Sequence, residues 1–135
     1  MTVRTVLFVC TQNAGRSQMA AGFLNQLGGG EIVATSAGTE PADALYPVVI
    51  AAMLEQGVDL REAEPAAVSL EAIAAADLVI TLGADLRGLV SGSHFADWDF
   101  PSSADSRLAQ VRPTRDAIRD RVVALLAELK VPAAA

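Results

Sequence analysis

Cys10, Arg16 and Ser17 are spaced Cys-x5-Arg-Ser within Val6-Leu7-Phe8-Val9-Cys10-Thr11-Gln12-Asn13-Ala14-Gly15-Arg16-Ser17, and Cys10 is the only cysteine of the chain. A free thiol titrates at about 8.5, so little of it is the nucleophilic thiolate at neutral pH. Backbone N–H groups, a helix N-terminus and a guanidinium all favour the anion, and cysteines in such surroundings titrate at roughly 3.5–7.5. Cys10 and Arg16 bracket a segment whose amides can cradle a tetrahedral anion, with Arg16 adding a bidentate contact. Ser17 can point its hydroxyl at the sulfur, Asn13 can brace the loop by bonding its backbone, and Gly15 lets the backbone approach a ligand closely. The catalytic candidates are therefore Cys10, Arg16 and Ser17. The anion-binding candidates are Thr11, Gln12, Asn13, Ala14, Gly15 and Arg16. A free cysteine is more commonly a small buried hydrophobe, but this spacing at a strand-to-helix junction favours chemistry.

The elements around this loop must hold its two ends in register. Val6 to Val9 is short, apolar and β-favouring, as a strand covered on both faces requires. After Arg16, Ala20, Phe23, Leu24 and Leu27 fall on one helical face, and Gly28-Gly29-Gly30 ends that helix. Glu31 to Thr35 reads as a second strand leading into Ser36-Ala37-Gly38-Thr39. Pro47 opens a helix carrying Val49, Ile50, Met53 and Leu54, with Gly57 as its terminator. Ser69 caps a short helix over Leu70 and Ile73, with Glu71 in its first turn. Asp77 to Leu82 is a third strand, and His94 to Phe100 holds a short fourth. Thr114 is the expected cap of a last helix on which Ile118, Val122, Leu125, Leu126 and Leu129 share a face.

Strands alternating with helices predict an α/β three-layer sandwich, its four-stranded parallel sheet ordered 2-1-3-4 as in flavodoxin-like folds. Ligands of such sheets bind beyond the carboxyl ends of the strands at the switch point, where Cys10 to Ser17 falls. We expect a single domain over residues 1–131 and a frayed tail at 132–135.

The chain has 135 residues, 52% of them apolar, so a core without disulfide or metal is expected. No apolar run approaches the roughly 20 residues of a membrane span, and a cytoplasmic location is expected. With 10 basic and 16 acidic residues the net charge is −6, the wrong sign for general nucleic-acid binding. It also repels oxyanions at long range, so capture must come from local donors. One cysteine and one histidine do not make a metal ligand set, and one cysteine cannot form an internal disulfide. No bound cofactor is expected.

The run from Val6 to Ala20 resembles the signature of arsenate reductases built on the low-molecular-weight protein tyrosine phosphatase fold. Further matches are Ser36 to Thr39, Ala51 to Leu60, Asp77 to Leu82 and Asp97 to Pro101. Phosphatases of this fold usually carry proline after the Arg-Ser pair, whereas Gln18-Met19-Ala20 follows here, as in the arsenate reductases. The resemblance implies attack of Cys10 on arsenate. It also implies relay cysteines, but Gly15 and Leu82-Gly83-Ala84-Asp85 stand where these would be expected. A second thiol must then come from outside: mycothiol, glutathione, or a thioredoxin or glutaredoxin system. Relatives protonate the leaving group from an Asp-Pro pair after the tryptophan segment, where this chain has Ser102-Ser103. Asp105 is the expected substitute, with Asp99 as second candidate. Some relatives hold a monovalent cation near Asn13 and Ser36, but Ala21 occupies an acidic position of that set, and the site is not carried over.

Two alternatives stand beside arsenate reduction. One is a low-molecular-weight tyrosine or phosphomonoester phosphatase using the same Cys10 and Arg16, and the other is a non-catalytic oxyanion-binding protein. Trp98 reads as packing or cleft wall, His94 as non-catalytic, and Arg107, Arg112, Arg115, Arg119 and Arg121 as a solvated face. The expected partners are an arsenate- or phosphate-like oxyanion and a thiol donor, with the chain a monomer or weak dimer.

Overall fold

A computed structural model describes residues 3–86 and 94–129 of the protein. The elements run β1 (Thr5–Cys10), α1 (Arg16–Leu27), β2 (Val33–Gly38), α2 (Pro47–Leu54), α3 (Leu70–Ala75), β3 (Leu78–Thr81), β4 (Phe95–Asp97) and α4 (Leu108–Glu128). The sheet is ordered β2-β1-β3-β4, and every pairing in it is parallel. This is the expected topology. β1 and β3 are the two internal strands, and β1 has its last five residues buried, so both of its faces are covered.

Alternate side chains of β1 serve different layers, as strand geometry requires. Val6, Phe8 and Cys10 join the larger core with Met19, Phe23, Leu24, Met53, Ile118 and Val122 of α1, α2 and α4. Leu7 and Val9 face the other way, onto Ile73 of α3 and Val79. At about 25 cal/mol per Å² of apolar surface removed from water, this double coverage anchors β1 firmly in the fold. Its first residues are also pinned laterally, since the amides of Arg4 and Thr5 donate to Asp77 Oδ2 at 2.8 and 3.1 Å.

Two sequence expectations are corrected. β2 does not end at Thr35 but continues through Gly38, because Ser36, Ala37 and Gly38 pair with Phe8, Val9 and Cys10. Small residues suit that end: a Cβ on Gly38 would sit 2.6 Å from the Thr11 carbonyl oxygen, so β2 lies directly against the chemical loop. Thr114 is not a helix cap. The last helix starts at Leu108 with Arg107 as N-cap, whose amide donates to Gln110 Oε1 at 2.7 Å. Burial of Val111 in the larger core outweighs the missing N–H of Pro113, which stands inside the helix.

Ser69 caps α3 as expected, its hydroxyl accepting from the Ala72 amide. Among the described residues, no helix is long and apolar enough to cross a membrane. The expected tail at 132–135 lies outside the described residues.

Candidate active site

β1 delivers Cys10 to the carboxyl edge of the sheet, and α1 departs from Arg16. The loop between them is held by its carbonyls. Those of Cys10, Thr11, Gln12 and Ala14 accept from the amides of Thr39, Glu40, Ala42 and Tyr46 at 2.7–3.1 Å. The Asn13 carbonyl takes Gln18 Nε2 at 3.1 Å, and the Gly15 carbonyl takes the Met19 amide at 3.0 Å. A trans peptide points its N–H opposite its C=O. With the carbonyls committed outward to residues 39–46, the partner amides turn toward the sulfur. The Asn13 amide shows it, donating to Cys10 Sγ at 3.2 Å. The helix start adds to this, because Gly15 gives α1 no side-chain cap and no acidic residue sits in its first turn. Its leading donors are therefore left for a ligand.

Beneath the loop lies a buried polar network. Ser17 Oγ is 2.8 Å from Cys10 Sγ and accepts from Asn13 Nδ2 at 2.7 Å. Asn13 Oδ1 accepts from the Ala66 amide at 2.9 Å and from Gln18 Nε2 at 3.3 Å. Asn13 and Ser17 are fully buried, and Asn13 adopts φ 53°, a left-handed conformation that asparagine tolerates well. Asn13 thus braces the loop through Ser17 and Ala66 rather than through the loop's own backbone.

Above the sulfur is a cavity of about 240 Å³ lined by Cys10, Thr11, Gln12, Ala14, Gly15, Arg16, Tyr46, Ser102, Ser103 and Ala104. The structure therefore brings most of the expected binding residues to one wall. Asn13 and Ser17 stand underneath it. Arg16 Nη1 donates to the Phe100 carbonyl at 3.1 Å, which fixes the guanidinium at the cavity edge. Asp105 is exposed and does not line the cavity, although its charge reaches Tyr46, which does. Asp99 is exposed and also outside the lining.

Tyr46 is a wall residue that sequence reasoning missed. Its hydroxyl donates to Gln12 Oε1, and burial raises its pKa, with the charges of Cys10 and Asp105 adding to the effect and Arg16 opposing it. It therefore stays a neutral donor at physiological pH. Nothing in its spacing marked it, since only the fold brings it to the loop. Trp98 is packing, 4% exposed, tilted against Phe8 at 5.4 Å between ring centroids and covered by the Arg121 guanidinium at 4.8 Å. The arginine face is only partly solvated. Arg115 is 6% exposed, bonding the Ala52 carbonyl at 3.0 Å and Glu55 at 2.5 Å.

Residues 5–133 match the family model for low molecular weight phosphotyrosine protein phosphatase. The chain belongs to the low-molecular-weight phosphotyrosine protein phosphatase family. Within it, the chain is 35% identical over 127 residues to a putative arsenate reductase of Halobacterium salinarum, covering 90% of this chain and 89% of the relative. It is 34% identical over 131 residues to a glutaredoxin arsenate reductase of Synechocystis sp., covering 94% and 99%. Among solved structures, an arsenate reductase in the phosphate binding state superposes with a TM-score of 0.81 at 33% identity, covering 93% of this chain and 98% of that one. The phosphatase-family fold and its α/β topology are thus common to this chain and arsenate reductases.

Proposed function

We propose that the protein is an arsenate reductase, or an arsenate–thiol transferase, that draws its reducing thiol from outside. The observation that carries the reading is the Cys10 sulfur at the floor of a cavity whose loop carbonyls are all turned away, with Arg16 at its edge. The arsenate reductases among the relatives support arsenate over phosphoesters.

Arsenate binds through the amides of residues 11 to 16 and Arg16, while Asn13 and Ser17 hold the sulfur below it. The Cys10 thiolate attacks arsenic, an S–As bond forms, and hydroxide departs with a proton as water. Asp105 is the proposed donor of that proton, reaching in from the turn beside Tyr46. An external thiolate then ends the cycle by one of two balanced routes. Attack on the Cys10 sulfur breaks S–As and leaves the electron pair on arsenic as arsenite, and a second thiol resolves the mixed disulfide. Attack on arsenic instead transfers the arsenate group to the external thiol and returns Cys10 unchanged. The glutaredoxin named in the Synechocystis relative makes a glutathione and glutaredoxin couple the first thiol system to test, with mycothiol and thioredoxin as comparisons. A cytosolic setting, where thiols stay reduced, fits either route.

Arsenate-dependent thiol consumption by the full chain, yielding arsenite on the first route and an arsenate–thiol conjugate on the second, should require one of these thiol systems and should vanish in Cys10→Ser. Mass spectrometry of Cys10 separates the routes, since only the first leaves a mixed disulfide. Turnover of p-nitrophenyl phosphate without arsenate-dependent thiol consumption would overturn the reading in favour of a phosphatase.

A further inference from the structure

Among the described residues that line the cavity, Cys10, Arg16 and Tyr46 are the titratable ones. Cys10 acts as the nucleophile and a guanidinium does not give up its proton, which leaves Tyr46 as the lining group able to hand one on. The tyrosine is fixed against the loop from several sides. Its amide donates to the Ala14 carbonyl at 3.1 Å and its hydroxyl to Gln12 Oε1. Its ring edge covers Gly15, where an added Cβ would lie 3.3 Å from both Cδ2 and Cε2. The phenol is therefore held in the cavity wall. Its hydroxyl also feels the charges of Cys10, Arg16 and Asp105, so it is within electrostatic reach both of the nucleophile and of a carboxylate that does not line the cavity. Burial, with the Cys10 charge added, keeps it protonated at physiological pH.

We propose that Tyr46 is a catalytic residue of this site: its hydroxyl bonds the departing oxygen of arsenate and passes it the proton, and Asp105 acts through it by restoring that proton. As the As–O bond breaks, the phenol O–H breaks with it, hydroxide becomes water, and the tyrosinate regains a proton from the Asp105 carboxyl, which exchanges with solvent. Hydroxide is far the stronger base, so a phenol titrating at about 10 or above can protonate it. Gln12 does not keep the hydroxyl from the substrate, because a charged oxyanion oxygen is a stronger acceptor than a neutral amide oxygen. The proposal rests on arsenate binding at Cys10 and Arg16, and the test separates the two.

Arsenate-dependent thiol consumption by the full chain at saturating thiol is compared for native protein, Tyr46→Phe, Asp105→Asn and the double variant, and the affinity of each for inorganic phosphate is read by calorimetry. Tyr46→Phe should lower kcat by about tenfold, less than the roughly 10²-fold or more of a full general acid because As–O bonds exchange readily. Its phosphate affinity should stay within about threefold of native, since the ring, the Ala14 bond and the loop amides all remain. On top of Tyr46→Phe, Asp105→Asn should change kcat by less than about twofold, because the group it acts through is gone. A kcat within about twofold of native in Tyr46→Phe overturns the proposal. A loss of phosphate affinity that matches the loss of kcat also overturns it, marking a tyrosine that only braces the loop, as does an undiminished Asp105→Asn effect in the double variant. A native chain that consumes no thiol with arsenate would instead sink the arsenate reading, and this proposal with it.

Discussion

The two sides of the cavity are built to different standards. On one side, the loop from Cys10 to Ser17 has its carbonyls bonded, its polar side chains buried and its sulfur contacted by an amide and a hydroxyl. On the other, the turn from Asp99 to Ser106 carries exposed carboxylates, a left-handed Asp105 at φ 57° and a buried Ser103 hydroxyl with no partner. The first side is pre-organised, as the proposed attack and anion binding require. The second, where departure of a leaving group would be assisted, is loosely determined. That asymmetry suits arsenate, whose As–O bonds exchange readily, more than a phosphomonoester whose stable P–O bond must be broken with expulsion of an alkoxide.

The sharpest break of the comparison is at the sulfur. Cys10→Ser should lose at least about 10³-fold in arsenate-dependent turnover, measured as thiol consumed, yet still bind phosphate, because the cradle persists. Asn13→Ala tests whether the cradle is as rigid as its bonding implies. Removing a buried amide that serves Ser17, Ala66 and Gln18 should destabilise the protein by about 2–3 kcal/mol in denaturant unfolding, since it leaves buried groups unpaired.

Asp105→Asn tests the looser side. If Asp105 supplies the proton, turnover of phenyl phosphate, whose poorer leaving group needs that proton, should fall by about 10²-fold and arsenate turnover, whose As–O bonds exchange readily, by less, with Asp99→Asn changing neither. Equal losses on both substrates would remove the asymmetry.

The downstream end of the turn is fixed through α4, where Arg112 and Arg115 grip Glu55 at 2.6 and 2.5 Å. Hydrogen bonds from Arg112 and then Arg115 lower the Glu55 pKa from 4.5 to about 2. A carboxylate depressed in the folded state contributes stability that is fully present above its unfolded pKa and lost as pH falls through its folded one. Thermal unfolding between pH 4.5 and 2 should therefore show declining stability, with a shallower decline in Glu55→Gln.

The smallest effect expected is that of Ser103→Ala. An unpartnered buried hydroxyl adds no bond, so stability should change by no more than about 0.5 kcal/mol or rise. A marked loss of phosphate affinity there would show that the turn is more closely built than its bonding suggests.

The sequence was most legible where local pattern and burial agree. Val6 to Val9, Asp77 to Leu82 and the glycines after Leu27 fix the sheet order without knowledge of any contact, because both faces of the central strands demand apolar cover. Cys-x5-Arg-Ser marked the loop because its chemistry depends on residues adjacent in the chain. Thr114 misled because a helix start is decided by what its first turn packs on, and Val111 is buried against other elements. Tyr46 escaped notice for the same reason: it acts on the loop from elsewhere in the chain, at no fixed spacing.

By itself, then, the order of residues determined the α/β topology and marked the segment proposed to hold the nucleophile and the anion. The fold alone decided which way that segment's peptides turn, what flanks Arg16 and which side chains close the cavity. Periodicity and local motifs act over a few residues, whereas the direction of a carbonyl or guanidinium is set by partners brought close only when β1, β2, β3 and β4 are side by side.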